Sequence, residues 1–107
     1  MTSHPLTENV LTVSAKDRPS IRYALDHLSH ELADAFGGYT RVAGEGAWMS
    51  PSGVLHLDPV AVYTIAAPHT SETRDTLRAI ARAYCERSDE EAAYLRFADG
   101  TVEFPTI

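Results

Sequence analysis

The stretch Asp17-Arg18-Pro19-Ser20-Ile21-Arg22-Tyr23-Ala24-Leu25-Asp26-His27-Leu28-Ser29-His30-Glu31-Leu32-Ala33-Asp34-Ala35-Phe36-Gly37-Gly38 carries the clearest periodicity in the chain. Ile21, Leu25, Leu28, Leu32 and Phe36 recur at spacings of four, three, four and four. At 3.6 residues per turn they share a stripe about 80° wide, the signature of a helix with one face in a core. Pro19 suits the first helical turn, and Asp17 or Ser20 is expected to cap it. Gly37 is expected at the left-handed position that closes the helix.

Elements on either side follow from this helix. Before it, Asn9–Ala15 is short and β-branched and reads as a strand, with residues 1–8 expected to fray. After it, Tyr39–Met49 reads as a second strand, in which Gly44 and Gly46 predict a bulge or bend. Ser50-Pro51-Ser52-Gly53 is a turn, followed by a long strand over Val54–Ala67. Read as a four-residue hairpin loop, that turn sets Met49 opposite Val54, Trp48 opposite Leu55 and Glu45 opposite Asp58. A second helix carries Leu77, Ile80, Ala81 and Tyr84 on one face, with Glu72 and Asp75 early and Arg87 late, in line with the helix dipole. Tyr94–Phe97 is a last long-range strand. Asp99-Gly100 predicts a two-residue type I′ turn that would pair Arg96 with Glu103 and Leu95 with Phe104.

The order strand–helix–strand–strand–helix–strand, with a short C-terminal strand, predicts an α+β, ferredoxin-like βαββαβ domain spanning residues 1–107. Two right-handed crossovers put both helices on one face of an antiparallel sheet. The other face is left for solvent, a second chain or a pocket.

Composition narrows the function. Fifteen acidic and nine basic residues give a net charge of −6, against proteins that grip nucleic acid or anionic membranes through clustered positive charge. No apolar run approaches the about 20 residues of a membrane helix, and no signal segment opens the chain, so a cytoplasmic protein is expected. Cys85 is the single cysteine, which excludes an internal disulfide and a thiolate cluster within one chain.

Four groups of residues carry candidate chemistry. His56, Asp58 and Glu45 meet on one hairpin face in the proposed register, with Trp48, Leu55 and Leu57 on the other; an imidazole between carboxylates suits a general base. His27, His30 and Asp34 share a helical stripe with Tyr23 but lack groups to orient them as metal ligands, so no metal is expected. Arg74, Arg78 and Arg82 repeat every four residues, a face for an anion or acidic partner, or for salt bridges with Asp75 and Glu86. Trp48 is expected to pack in the core or anchor an interface, and Tyr39, Tyr63 and Tyr94, in three strands, either pack against the helices or, where they face away from them, form an aromatic platform for binding. Phosphate loops, dinucleotide fingerprints and nucleophile elbows are absent, so no cofactor is expected.

The pattern Gly37-Gly38-Tyr39-Thr40, Gly46-Ala47-Trp48, Gly53 and Asp58 resembles that of a group of small bacterial and phage proteins sharing Gly-Gly-x-Thr, Gly-x-Trp and a turn glycine. The resemblance covers residues 36–65 and implies a ferredoxin-like fold and no particular reaction. Asp58 stands where that pattern carries Glu. These readings together favour a small acidic module that binds a protein partner or itself, as a homodimer through the sheet face, acting as an accessory factor or as a mobile-element inhibitor of a host complex. The alternatives are a small homodimeric enzyme with His56 as base, or a dimer that senses a small molecule.

Overall fold

The structure, a computed structural model, describes residues 5–107. Strand β1 (Leu6–Ser14) leads into helix α1 (Pro19–Phe36); β2 (Thr40–Met49) and β3 (Leu55–Pro68) form a hairpin; α2 (Ser71–Ser88) precedes β4 (Tyr94–Arg96) and β5 (Val102–Glu103). The sheet order is β2-β3-β1-β4-β5, with every neighbouring pair antiparallel. This is the ferredoxin-like α+β arrangement. No helix of the described residues is long and apolar enough to cross a membrane.

One sheet face and the helices make the core. Leu11, Val13, Ala61, Tyr63, Ile65 and Leu95 meet Ile21, Leu25, Leu28 and Leu32 of α1 and Leu77, Ile80 and Tyr84 of α2. The α1 stripe is buried as its spacing requires, with Phe36 packed at the margin. Cys85 is fully enclosed, its thiol facing the Pro105 carbonyl at 3.7 Å, and burial pushes its pKa up to about 11.

Several local expectations are corrected. The part of the expected fray at residues 1–4 lies outside the described residues, whereas Leu6, Thr7 and Glu8 belong to β1 and pair with Pro68, Ala67 and Ala66. Helix α1 has Arg18 at its N-cap and no side-chain cap. Asp17 instead pairs with Arg22, while Arg18 donates to the Ser88 carbonyl at 3.1 Å and Ser20 to the same oxygen at 3.4 Å. Arg18 and Ser20 thus tie the start of α1 to the end of α2, while the pairing of Asp17 stays within α1's first turns. Gly37 takes the left-handed closing position, with φ 84°. At the end of α2, Asp89 does so at φ 59°.

Both hairpin registers differ from expectation for one reason. Gly53 and Gly100 have φ of 86° and 88°. Gly53 N–H donates to the Ser50 carbonyl and Ser50 N–H to the Val54 carbonyl, both at 2.9 Å; Gly100 and Phe97 repeat the pattern with Phe97 and Thr101. Each loop is therefore a three-residue connection, a type I turn closed by a left-handed glycine. Asp99 is not at positive φ, as a type I′ turn would demand. Its carboxylate accepts from Thr101 N–H at 2.9 Å and pairs with Arg74. Consequently Trp48 opposes His56, Gly46 opposes Asp58 and Glu45 opposes Pro59, while Leu95 opposes Glu103. Strand β2 runs in unbroken register without the bulge its glycines suggested. Gly44 and Gly46 lie over Val60, where a Cβ on Gly46 would meet Val60 Cγ1 at 3.2 Å.

The arginines of α2 fasten the β4–β5 hairpin. Arg78 grips Glu103 with two nearly parallel bonds, Nε to Oε1 at 2.7 Å and Nη2 to Oε2 at 2.8 Å. Arg74 and Arg78 lie 4.7 and 5.1 Å from the ring centre of buried Phe97. Arg82 remains exposed, so two of the three candidate anion-binding arginines are already engaged within the chain.

Two outcomes follow. Leu28→Ala, in the middle of the buried stripe, is expected to cost about 2–5 kcal/mol in denaturant unfolding. The hydrogen bond from Arg78 holds the Glu103 carboxyl below the usual carboxylate range. A carboxyl depressed in the folded state stabilises above its unfolded pKa, about 4.3, and that contribution disappears as pH falls through the lower folded value. The melting-temperature gap between the wild type and Glu103→Gln should therefore be widest at neutral pH and close in acid; a gap independent of pH would refute the clamp.

Candidate functional site

The β2–β3 hairpin outruns the rest of the sheet. The last β1–β3 pair is Ser14 with Val60, so Leu55–Asp58 pair with β2 alone. On the face away from the helices, this overhang and two loops enclose a groove of about 440 Å³. The overhang supplies Gly46, Trp48, Asp58 and Val60; the segment after β1 supplies Lys16; the α2–β4 loop supplies Glu90 and Glu91; Tyr94 and Phe104 form the far wall. The volume lies within the about 300–1,000 Å³ common for small-molecule sites.

Aromatic and acidic groups meet there. Trp48 Nε1 donates to Asp58 Oδ2 at 3.2 Å, fixing the indole and the carboxylate relative to each other. Lys16 Nζ stands 4.0 Å from that same oxygen and 3.4 Å from Glu90 Oε1, and Arg18 Nη2 lies 3.0 Å from Glu90 Oε2. Across the groove, Tyr94 and Phe104 pack edge to face, with ring centres 5.8 Å apart. Three carboxylates and one lysine thus line the groove, and with Arg18 engaged on Glu90 one negative charge is left over. That balance suits a ligand with positive charge, and the flat rings suit an apolar or heteroaromatic portion. Gly46 keeps the wall beside Trp48 open, because any side chain there would crowd Val60.

The residues predicted from sequence are distributed unevenly around this groove. Asp58 and Trp48 line it together. His56 lies flat against Trp48, with ring centres 4.3 Å apart and planes 13° from parallel, but does not line the groove. Trp48 therefore shares a face with His56 and Asp58, contrary to the expected register. Glu45, one residue out of phase with Gly46, faces the other way and cannot orient His56. Tyr63 is fully buried on the helix side with its hydroxyl 2.9 Å from Ser29 Oγ, and Tyr39 packs edge-on against it at 5.1 Å. Of the three strand tyrosines, Tyr94 alone reaches the groove. On α1, His27 leans on Tyr23 and His30 approaches Asp26 at 3.9 Å. Among the described residues, no three His, Cys, Asp or Glu side chains converge as a metal site would require.

Lys16, Glu90, Glu91 and Phe104 were not singled out by sequence. The Asp89-Glu90-Glu91 charge run and the single lysine were the available signals, and neither indicates a shared location. They come together because Arg18 binds the end of α2, which draws the Lys16 and Glu90 loops into contact.

Comparisons with known proteins place the fold. No protein-family model matches the chain, and no curated protein does. Among solved structures, a phage SAM lyase in complex with S-methyl-5'-thioadenosine aligns over 100% of this chain and 94% of its own, at 15% identity and a TM-score of 0.71. A phage SAM lyase in its apo state aligns over 100% and 93%, at 12% identity and a TM-score of 0.67. At these identities the likeness establishes a shared fold over the whole chain.

Proposed function

We propose that the groove beside Trp48 binds an adenosyl sulfonium compound, and that the chain is a small enzyme that breaks a carbon–sulfur bond of that ligand. The observation that carries the reading is the pairing of Asp58 with Trp48 in a groove walled by Tyr94 and Phe104. The full-length likeness to a SAM lyase bound to S-methyl-5'-thioadenosine supports it.

The chemistry of such a ligand matches the lining. Adenine stacks on ring faces, and a sulfonium, apolar around its edge yet positive at sulfur, is attracted to both aromatic faces and carboxylates. When the bond breaks, its electron pair goes to sulfur and leaves a neutral thioether. With no group added from outside, the carbon fragment makes up the deficit within itself, by bonding one of its own oxygens to that carbon to close a ring or by giving up a neighbouring proton to Asp58. Positive charge leaves sulfur and moves towards carbon in the transition state. A carboxylate that only held the sulfonium would tighten substrate binding without accelerating the step. In this reading Asp58 stands on the carbon side, where charge develops, and the rings hold the sulfur and the base. His56 supports Trp48 from behind as a positioning residue rather than as the general base. The neutral product no longer attracts the carboxylates, which favours its release.

The test is incubation with S-adenosylmethionine, following S-methyl-5'-thioadenosine by chromatography, with thermal shift for binding of either compound. The wild type is expected to convert substrate. Asp58→Asn is expected to lose activity by about 100-fold or more while still being stabilised by S-methyl-5'-thioadenosine. Trp48→Ala and Gly46→Val are expected to weaken both binding and turnover, the first by removing a stacking face worth about 1–3 kcal/mol. If neither compound shifts the melting temperature, this reading fails, and the non-catalytic accessory or inhibitor module is favoured.

A further inference from the structure

Lys16 is the single lysine of the chain and, among the described residues, the one cationic side chain in the groove lining. Its backbone is fixed where β1 ends: the Ala15 N–H donates to the Pro59 carbonyl at 2.9 Å, and the Lys16 N–H to Ser14 Oγ at 3.4 Å. The ammonium hangs between two carboxylates without closing fully on either. Glu90 Oε1 accepts from it at 3.4 Å, long for a hydrogen bond, and Asp58 Oδ2 lies at 4.0 Å. Each carboxylate has a closer donor elsewhere, Arg18 for Glu90 at 3.0 Å and the Trp48 indole for Asp58 at 3.2 Å. Glu91, the next residue along the loop, is exposed at the lining and has no ion pair among the described residues. With Glu90 neutralised by Arg18, three charges remain to meet a ligand: negative at Asp58 and Glu91, positive at Lys16.

We infer that Lys16 and Glu91 read the amino-acid end of the ligand, Lys16 taking its α-carboxylate and Glu91 its α-ammonium. The site then selects adenosyl sulfonium compounds that carry a whole α-amino acid. The inference rests on the adenosyl reading of the groove and adds to it the class of side arm. Charge matching supports it first. Such a ligand has two positive groups, sulfonium and ammonium, and one negative carboxylate, the reverse of the three charges at the lining. An arm without the carboxylate would set its ammonium near Lys16 with nothing to offset the repulsion. Length supports it second. With Asp58 at the carbon attached to sulfur, the carboxyl carbon lies three bonds further along, roughly 4 Å at about 1.5 Å per bond. Lys16 Nζ stands 4.0 Å from Asp58 Oδ2. A lysine suits the task because its ammonium is a compact charge on a flexible stem, able to turn from Glu90 to an arriving carboxylate. Glu90 keeps Arg18 through that turn, so no carboxylate is stranded. Lys16 touches the arm and not the bond that breaks, and acts as a specificity residue.

The experiment measures dissociation constants of the full chain by titration calorimetry for three adenosyl thioethers, none with a sulfonium to cleave. S-adenosylhomocysteine carries the whole arm, its decarboxylated analogue the ammonium alone, and S-methyl-5'-thioadenosine neither. The wild type is expected to bind S-adenosylhomocysteine most tightly. Lys16→Met should weaken that compound by about 10-fold and leave S-methyl-5'-thioadenosine within about twofold. The same variant should bind the decarboxylated analogue as well as the wild type or better, because a repelling charge is gone. Glu91→Gln should weaken both ammonium-bearing compounds and spare S-methyl-5'-thioadenosine. Lys16→Arg, which keeps the charge, should retain most of the preference. The ligand-free melting temperature of Lys16→Met should stay at the wild-type value, since Arg18 still holds Glu90. Equal weakening of all three compounds in Lys16→Met would make Lys16 a structural support, and undiminished binding of S-adenosylhomocysteine would mean that the arm is read elsewhere. Either result overturns the inference and leaves the adenosyl reading standing. A wild type that binds none of the three overturns both. The expected pattern without conversion of S-adenosylmethionine supports the inference and counts against the bond-breaking step alone.

Discussion

The left-handed conformation of Gly53 governs everything built on the β2–β3 hairpin. By closing a three-residue loop it sets the phase of a ten-residue ladder, and in a strand phase decides face. With this phase, Trp48, His56 and Asp58 stand together on the open side, and Glu45 goes with Met49 and Leu57 to the other. A loop one residue longer or shorter would have separated the indole from the carboxylate it holds. A residue with a Cβ at Gly53 would carry the strain of that backbone angle, so the smallest side chain in the hairpin controls the positions of its largest ones.

A second constraint is the unequal length of neighbouring strands. Strand β3 continues past the end of β1, and the space β1 vacates is bordered by the two loops that carry Lys16 and Glu90. These loops are held by Arg18, whose guanidinium joins the start of α1 to the end of α2 and to Glu90. The groove is thus formed by a strand that stops early and a salt-bridged seam between helices. The core proper is built mainly from Leu, Ile and aromatic packing, and its few buried polar groups, among them Asn9 and Ser88, are hydrogen-bonded.

The architecture was readable from sequence because it depends on periodicity. Ile21, Leu25, Leu28 and Leu32 name a buried helical face whatever their partners, and the order of elements leaves few topologies. The groove was only partly readable. Asp58 and Trp48 were identifiable as residue types, but their juxtaposition depends on loop geometry that Ser50-Pro51-Ser52-Gly53 does not declare: the same tetrapeptide suits a loop of three or four residues. Glu90, Glu91 and Phe104 depend on tertiary placement of a loop and a tail, for which no local spacing exists. Tyr63 illustrates the opposite error. An aromatic residue in a strand looks like a binding surface until alternation, counted from the true register, turns it under the helices.

The burial of Cys85 has a practical consequence. Its thiol lies under α2 with no water access and with its ionisation pushed to high pH, so at neutral pH almost no thiolate is present to react. Alkylation of this sulfur requires the seam between α2 and the C-terminal segment at Pro105 to open first. The rate at which a thiol reagent consumes it therefore clocks that opening, and gives the molecule a native reporter of its own breathing without any introduced label.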